Sequence, residues 1–544
     1  MMKKIIYLVS ITWIMLLSSC SDVLDITPTD RYPDPAVWQD ENLLKMFVNE
    51  QYSGICTKDN YYKIMYFGDD IFSKYNEGGC DLIRENILTA DNVGSLNNIL
   101  HVWDNSYKFI HNIKVFFKNI EGSPIDESVK KELIAEMKFI RAYIYAKLIW
   151  AYGGVPIIEE AFDINSDWSQ IKRNSWDECV TYIVKNLDEV IADLPDRPAE
   201  RNRASGNAAR ALKSRVLLYD ASILNNPSND KQKWQRAADA AAALFDKGYT
   251  LATDYQKMFL DVNCSEFIFA KEFSETYYCQ LTFYIGTAGN SGLALAVPSL
   301  NIVDAYETID GEIPVTNSEL GTINPKSMYD SSNPYVNRDP RFYASIYYNG
   351  ADFMDRKIET YKGGYDVTNQ DATMTGYYIR KFIEEDKGIS QTRHYTGPFP
   401  LFRLSEMYLN YAEAQYHLGN EDLAREYINK IRGREGVKMP PVTATGEELL
   451  NKIYHERMIE LAFEGHRYFD VRRWKIAEKT ETTHIMGQEI IKNDDGTFTY
   501  NRHPLTQDSR KNEWKDAFYR LPIAFSEIQR SNNSLEQNSG YEIK

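Results

Sequence analysis

Apolar residues recur at intervals of three and four along most of the chain, the spacing of a helix that buries one face. Leu133, Met137, Ile140, Ile144 and Leu148 make one such stripe, which stops at Gly153-Gly154-Val155-Pro156. A second runs through Trp176, Val180, Ile183, Leu187, Ile191 and Leu194 before Pro195. Ahead of it, Ser175 and Glu178 have the S-x-x-E spacing of a capping box, in which each side chain satisfies the other's free backbone N–H. Shorter stripes follow at Ala209, Leu212, Val216 and Tyr219, and at Ala237, Ala241 and Leu244. A further helix is expected from about Asp40.

The second half repeats the theme. Ser405 to His417 reads as a helix, Gly419-Asn420 as a turn, and Glu421 to Arg432 as a second helix. Ala412, Gly419, Ala424 and Ile428 stand at the small-residue and turn positions of a tetratricopeptide repeat, and Trp234 with Ala237 and Ala241 suggests another. Small residues there let paired helices approach closely, and such pairs bury their apolar faces only by stacking. Between about 250 and 400 the helical period disappears. Short β-type runs (Glu266 to Ala270, Tyr377 to Lys381) alternate with Gly, Asn and Asp turns, as at Gly286 to Gly292 and Gly363-Gly364. Irregular stretches this long inside a compact protein tend to carry function. A hairpin is expected around Asn493-Asp494-Asp495-Gly496. The fold class is therefore mainly α, a tetratricopeptide-like α-superhelix with a large irregular insertion of loops and short strands. The expected organisation is a leader at 1–19, a Pro-containing tether at 20–40, a helical region at 41–260, and a region at 261–544 packed on it as one body. The insertion occupies about 261–400 of that last region.

Charge and composition narrow the partners. The formal charge is −16 without a basic run, which argues against nucleic acid, because phosphate backbones need concentrated Lys and Arg. Tyrosine is abundant, 38 of 544 residues, and its flat face and polar tip suit recognition as well as helix packing. At the N-terminus Lys3 and Lys4 precede an apolar run from Ile5 to Leu17, too short to span a bilayer and suited to secretion. It ends in Leu17-Ser18-Ser19-Cys20, which resembles a bacterial lipobox. Cys20 is then the lipidation site, and the protein is expected at the membrane through a lipid anchor. The other cysteines, Cys56, Cys80, Cys179, Cys264 and Cys279, never form C-x-x-C, so neither a zinc site nor a dense disulfide scaffold is expected.

Several segments together resemble the SusD/RagB family. The most specific is Glu456-Arg-Met-Ile-Glu-Leu-Ala-Phe-Glu-Gly-His-Arg-Tyr-Phe-Asp-Val-Arg-Arg-Trp474, close to the family's C-terminal signature. Phe402 to Ala414, Arg338-Asp-Pro-Arg-Phe342, Tyr152-Gly-Gly-Val-Pro156 and the closing run from Leu521 to Tyr541 support it. The resemblance implies a surface-exposed outer-membrane lipoprotein that captures glycans and delivers them to a SusC-like TonB-dependent transporter. A peptide- or glycopeptide-binding adaptor of that transporter is the alternative.

No catalytic motif is present: no H-E-x-x-H, no G-x-S-x-G, no phosphate-binding glycine loop. A non-enzymatic protein without cofactor or metal is expected. Asn493 to Gly496 fails as a calcium loop, since its first and twelfth ligand positions would be Ile491 and Arg502. Glu464, His466 and Arg467 lie in the signature and read as buried pairing at a helix exit. Sugar binding needs flat apolar faces edged by amide, carboxylate or guanidinium groups. Two tyrosine-rich loops meet that need. One carries Tyr61, Tyr62 and Tyr75 with Asn76 and Arg84, the other Tyr277, Tyr278 and Tyr284, and together they are expected to form a shallow platform. Trp103 and Tyr107 read as helix-core positions. Tyr347, Tyr361 and Tyr365 are the fallback.

Overall fold

The computed structural model describes residues 34–57, 61–160, 168–198, 200–385, 394–506 and 513–541. The leader, Cys20 and most of the tether lie outside them. The body is built from helices α1 (Glu41–Gln51), α2 (Trp103–Ile120), α3 (Glu127–Tyr152), α4 (Trp176–Asp193), α5 (Gly206–Ala221) and α6 (Lys231–Ala242). It continues with α7 (Leu404–Leu418), α8 (Glu421–Arg432), α9 (Gly446–Glu460) and α10 (Arg467–Arg473). The Asp40 side chain caps α1 by accepting from the Leu43 N–H, and Ser175 and Glu178 close the capping box of α4. Gly419, at φ +90°, ends α7 in the left-handed conformation that favours glycine.

Each of α3 to α6 packs on the next, and α7 then packs on α6 although more than 150 residues separate them. The chain leaves the stack after α6, makes its irregular excursion, and resumes it at α7. Two strands close the base of the excursion. Phe267–Lys271 pairs antiparallel with Phe399–Arg403, so exit and re-entry lie side by side. The α7–α8 pair holds the expected repeat contacts, with Ala412, Ala424 and Ile428 fully buried. The C-terminal half of α3 is buried around its whole circumference, from Phe139 to Tyr152 with few interruptions, as suits a helix at the centre of a stack. The expected hairpin is also present: Met486–Lys492 pairs with Phe498–Pro504 around the turn at Gly496.

Charge lies deep in this body. Arg341, Arg403, Arg432, Arg434, Arg457 and Arg473 are buried together with Glu307, Asp339, Glu413, Glu456, Glu460, Glu464 and Asp470. Arg403 alone bonds Glu266, Glu460 and Glu464, and Arg473 bonds Glu413 and Asp470. Desolvating so many ions is costly, and only a nearly complete set of partners offsets it. No helix among the described residues is long and apolar enough to cross a membrane.

Candidate functional site

The first tyrosine-rich loop begins at Tyr61, passes through a 3₁₀ turn (Lys63–Phe67) and enters a short strand, Ile71–Ser73. That strand pairs antiparallel with Ala296–Pro298 of the excursion, matching Ile71 to Pro298. Ser299 reinforces the join, its N–H donating to the Asp70 carbonyl at 3.0 Å. The two tyrosine-rich segments are therefore brought together, one from each side of this seam.

The signature positions the loop from beneath. Arg467 donates to both carboxylate oxygens of Asp69, at 2.5 and 2.7 Å. Gly465, at φ +81°, leaves room for Ile64, whose Cγ2 would lie only 2.1 Å from a Cβ at that position. Glu464 is consumed by Arg403 and by the Lys381 ammonium at 2.7 Å. Burial opposes its charge, yet Arg403 and Lys381 outweigh burial and hold its carboxyl below the usual range. His466 is held well below the usual imidazole range by burial and by Arg215 and Arg457 beside it, so it stays neutral. His455 donates from Nε2 to the Ala305 carbonyl, 2.7 Å away. Glu464 thus serves the helix exit, as its place in the sequence implied, whereas Arg467 reaches out to Asp69 of the tyrosine-rich loop.

Exposure divides the tyrosines. Tyr61 and Tyr62 are buried, which corrects the expectation that both rings lie open on a platform. Tyr61 packs on Phe273 and Phe399, with ring centroids at 5.5 and 4.4 Å, and its hydroxyl meets the Cys279 thiol at 3.2 Å. Burial pushes the Tyr61 hydroxyl well above its ordinary pKa. Tyr62 lies against Tyr61 at 5.2 Å and against Tyr284 at 6.2 Å. The physical reason is the seam itself: the excursion needs a filling where it meets the helical body, and these rings supply it.

The outer rings are Tyr75, Tyr277 and Tyr284. Tyr75 and Tyr277 are 44% and 45% exposed, and Tyr284 is half-buried on the short helix Leu281–Ile285. The Tyr284 hydroxyl donates to Gln280 at 2.7 Å, and the Lys63 ammonium sits 5.9 Å from its ring centre. Lys74 and Lys271 stand in the same way over Tyr75 and Tyr277, at 5.5 and 5.0 Å. Tyr278 turns aside and stacks on His394, 3.5 Å between centroids. Asn76 is exposed, its side-chain oxygen accepting from the Asp81 N–H at 3.1 Å. Arg84 is committed inward: it pairs with Asp81, donates to the Ser73 carbonyl at 3.0 Å and lies over Phe72. Next to the loop, Asp70 is buried, and burial, then neighbouring Asp69, pushes its carboxyl up to about 7.

A separate cleft of about 880 Å³ opens at the start of α2. Trp103, Tyr107, Pro156, Ile158 and Leu535 line it, with Asp104 and Glu527 among its polar groups. Trp103 is buried and Tyr107 half-buried, with its hydroxyl donating to the Pro156 carbonyl at 2.9 Å. Both are core positions that also form a wall, which helical spacing alone does not distinguish. Among the described residues, no group of three or more His, Cys, Asp or Glu is arranged to hold a metal ion, and the five described cysteines are unbridged.

A helical-repeat scaffold thus carries exposed tyrosines on one loop of its body and on an inserted excursion, and one signature charge, Arg467, ties the first of these to the body. Residues 249–541 match the model of the SusD family, more than half of the chain, and the chain belongs to that family. Residues 69–218 match a second model, described as starch-binding associating with outer membrane. The SusD-like protein P25 of Formosa agariphila is 24% identical over 500 residues, spanning 84% of this chain and 87% of its own. The starch-binding protein SusD of Bacteroides thetaiotaomicron is 23% identical over 464 residues, 78% of this chain and 75% of its own. Among solved structures, a SusD-like protein from Bacteroides fragilis superposes with a TM-score of 0.80 at 28% identity, covering 95% of this chain and all of the other. A SusD-like carbohydrate-binding protein from the same species gives 0.75 at 25% identity, covering 92% and 99%.

Proposed function

We propose that the chain is a cell-surface glycan-binding lipoprotein that captures oligo- or polysaccharide without cleaving it. It passes the glycan to a SusC-like TonB-dependent transporter for uptake. The observation that supports this reading is that the two tyrosine-rich segments meet beside the seam at Ile71–Ser73 and Ala296–Pro298, with the Tyr62 and Tyr284 rings 6.2 Å apart. Tyr75, Tyr277 and Tyr284 offer ring area there, and Asn76 and Gln280 offer amides for sugar hydroxyls. Relatives named as starch-binding or carbohydrate-binding support the ligand class. Acylation at Cys20 supplies the anchor in this reading. The test is retention of the mature chain on immobilised plant, host and microbial polysaccharides, with the bound glycan analysed for length. Retained, unshortened glycan is the expected result. Retention of peptides alone would favour the adaptor alternative, and shortened products would show a hydrolase instead.

A further inference from the structure

The excursion carries another aromatic position, apart from the Tyr62–Tyr284 pair. Tyr365 is 54% exposed, more than any other tyrosine among the described residues. Its mount is nonetheless rigid. The Gly364 N–H donates to the Tyr361 carbonyl at 2.7 Å, and the Tyr365 N–H to the Glu359 carboxylate at 3.1 Å. Next to it Asp366 is fully buried, accepting from Arg356 at 2.7 and 2.9 Å and from the Glu359 N–H at 2.9 Å. The Arg356 guanidinium lies 4.8 Å from the Tyr365 ring centre. Gly289 closes the mount: a Cβ there would come within 2.5 Å of the Asp366 carboxylate and 2.6 Å of the Tyr365 ring, so glycine lets both lie against this backbone.

Arg356 and Gly289 hold the ring from one side and leave the residue 54% exposed. Fixing an exposed ring costs side-chain entropy and leaves apolar area in water. A partner that stacks on the ring recovers both, because a ring ordered in advance lowers the cost of binding. Thr368, Asn369 and Gln370 follow in the next turn and are exposed. The Thr368 hydroxyl donates to the Tyr365 carbonyl at 3.1 Å and the Asn369 amide to the Ala288 carbonyl at 3.3 Å, which leaves the Gln370 amide and the spare acceptor positions for a ligand. A flat apolar face edged by neutral hydrogen-bonding groups is the complement of a pyranose ring, with its C–H face and peripheral hydroxyls. Gly289 lies five residues beyond Tyr284, at most roughly 18 Å along the chain, which a few linked sugars can span.

We propose that Tyr365 is a second stacking position for a pyranose unit, extending the ligand surface beyond Tyr284. The proposal rests on the glycan-binding reading above. It is tested by native affinity electrophoresis of the mature chain in gels containing soluble starch, laminarin, xylan, galactomannan, pectin, yeast mannan or mucin. On a polysaccharide that retards the wild type, Tyr365→Ala should weaken binding by roughly two- to tenfold. Tyr365→Phe should stay within about twofold, because the ring remains. Gly289→Ala, which crowds the buried Asp366 carboxylate as well as the ring, should weaken binding and lower the melt together. Circular dichroism melts of Tyr365→Ala should match the wild type. Wild-type retardation of Tyr365→Ala overturns the second position and leaves the glycan reading standing. A markedly lowered melt assigns the ring to packing and overturns it as well. If no polysaccharide retards the wild type, both readings fall together.

Discussion

Arg403 grips Glu464 with two hydrogen bonds, at 2.8 and 2.7 Å, where neither side chain reaches solvent. The pair joins the start of the resumed helix stack to the helix exit of the signature, and Lys381 of the excursion binds the same carboxylate. Removing Glu464 leaves the buried Lys381 ammonium without its carboxylate and Arg403 with only the Glu266 and Glu460 carboxylates, and breaking a buried pair in this way costs about 3–5 kcal/mol. Glu464→Ala is therefore expected to lower the denaturation midpoint strongly. The fraction still folded should bind ligand with unchanged affinity. Chemical denaturation and calorimetry on the same preparation check both halves. Native stability with lost binding would identify Glu464 as part of the ligand site.

Asp70 yields a pH dependence with a definite sign. Burial raises its carboxyl to about 7, against an unfolded value of about 3.9. The native state therefore holds a proton between these values that the unfolded chain gives up, and stability from this group falls as pH rises through that window. Asp70→Asn removes the dependence. Its advantage over the wild type should grow from about pH 4 to about pH 7 and level off above. Melting temperatures of both proteins across pH 4 to 9 provide the test, and a constant difference would contradict the assignment.

Gly465 links the signature to the ligand loop. With φ at +81° and Ile64 Cγ2 where a methyl would go, Gly465→Ala strains the backbone and displaces the first tyrosine-rich loop. Both stability and affinity should drop, unlike the Glu464 case. A variant that loses stability but keeps full affinity once folded would show that the loop is held without Gly465.

The helical half of the architecture was legible because it obeys a period. Stripes such as Val180, Ile183 and Leu187 follow 3.6 residues per turn, and caps such as Ser175 have local chemistry. The order of stacking was not, since α7 resting on α6 depends on strands Phe267–Lys271 and Phe399–Arg403 meeting across a long excursion. The two tyrosine-rich segments could be singled out by composition. Which rings face water could not be, because no local pattern distinguishes Tyr62, buried against Tyr61 and Tyr284, from the exposed Tyr75. Arg84 shows the same limit: a guanidinium in a polar loop reads as a ligand group until Asp81 and Ser73 are found to hold it. The rigid mount of Tyr365 had one readable sign, the glycines of Gly286 to Gly292, but not the partner that needs the space.

Cys20 offers a test of location. If the lipobox-like run directs acylation, Cys20→Ala should release the protein from the outer membrane, because a single residue carries the lipid. Membrane and soluble fractions blotted for the chain should show the shift. Unchanged anchoring would transfer that role to another contact, the transporter first among them.

The ligand surface separates two kinds of tyrosine, and their variants should fail differently. Tyr75 contributes little to the core, so truncating its ring should leave the melt nearly unchanged, while truncating half-buried Tyr284 should cost a modest amount, less than truncating Tyr62. Each should weaken binding several-fold, since one stacked ring contributes on the order of 1 kcal/mol. Their double truncation should be weaker still, close to the product of the single effects if the two rings meet different sugar units. Tyr62 is fully buried against Tyr61 and Tyr284, and Tyr62→Ala opens a cavity at the seam. Its cost should be roughly 3–5 kcal/mol of stability, with binding impaired only through the displaced Tyr284 ring. Calorimetric titration with a confirmed glycan, beside denaturation of the same variants, distinguishes the two classes. If Tyr75→Ala and Tyr284→Ala both bind as the wild type does, the seam surface is not the ligand site. The cleft bounded by Trp103 and Tyr107 then becomes the place to mutate next.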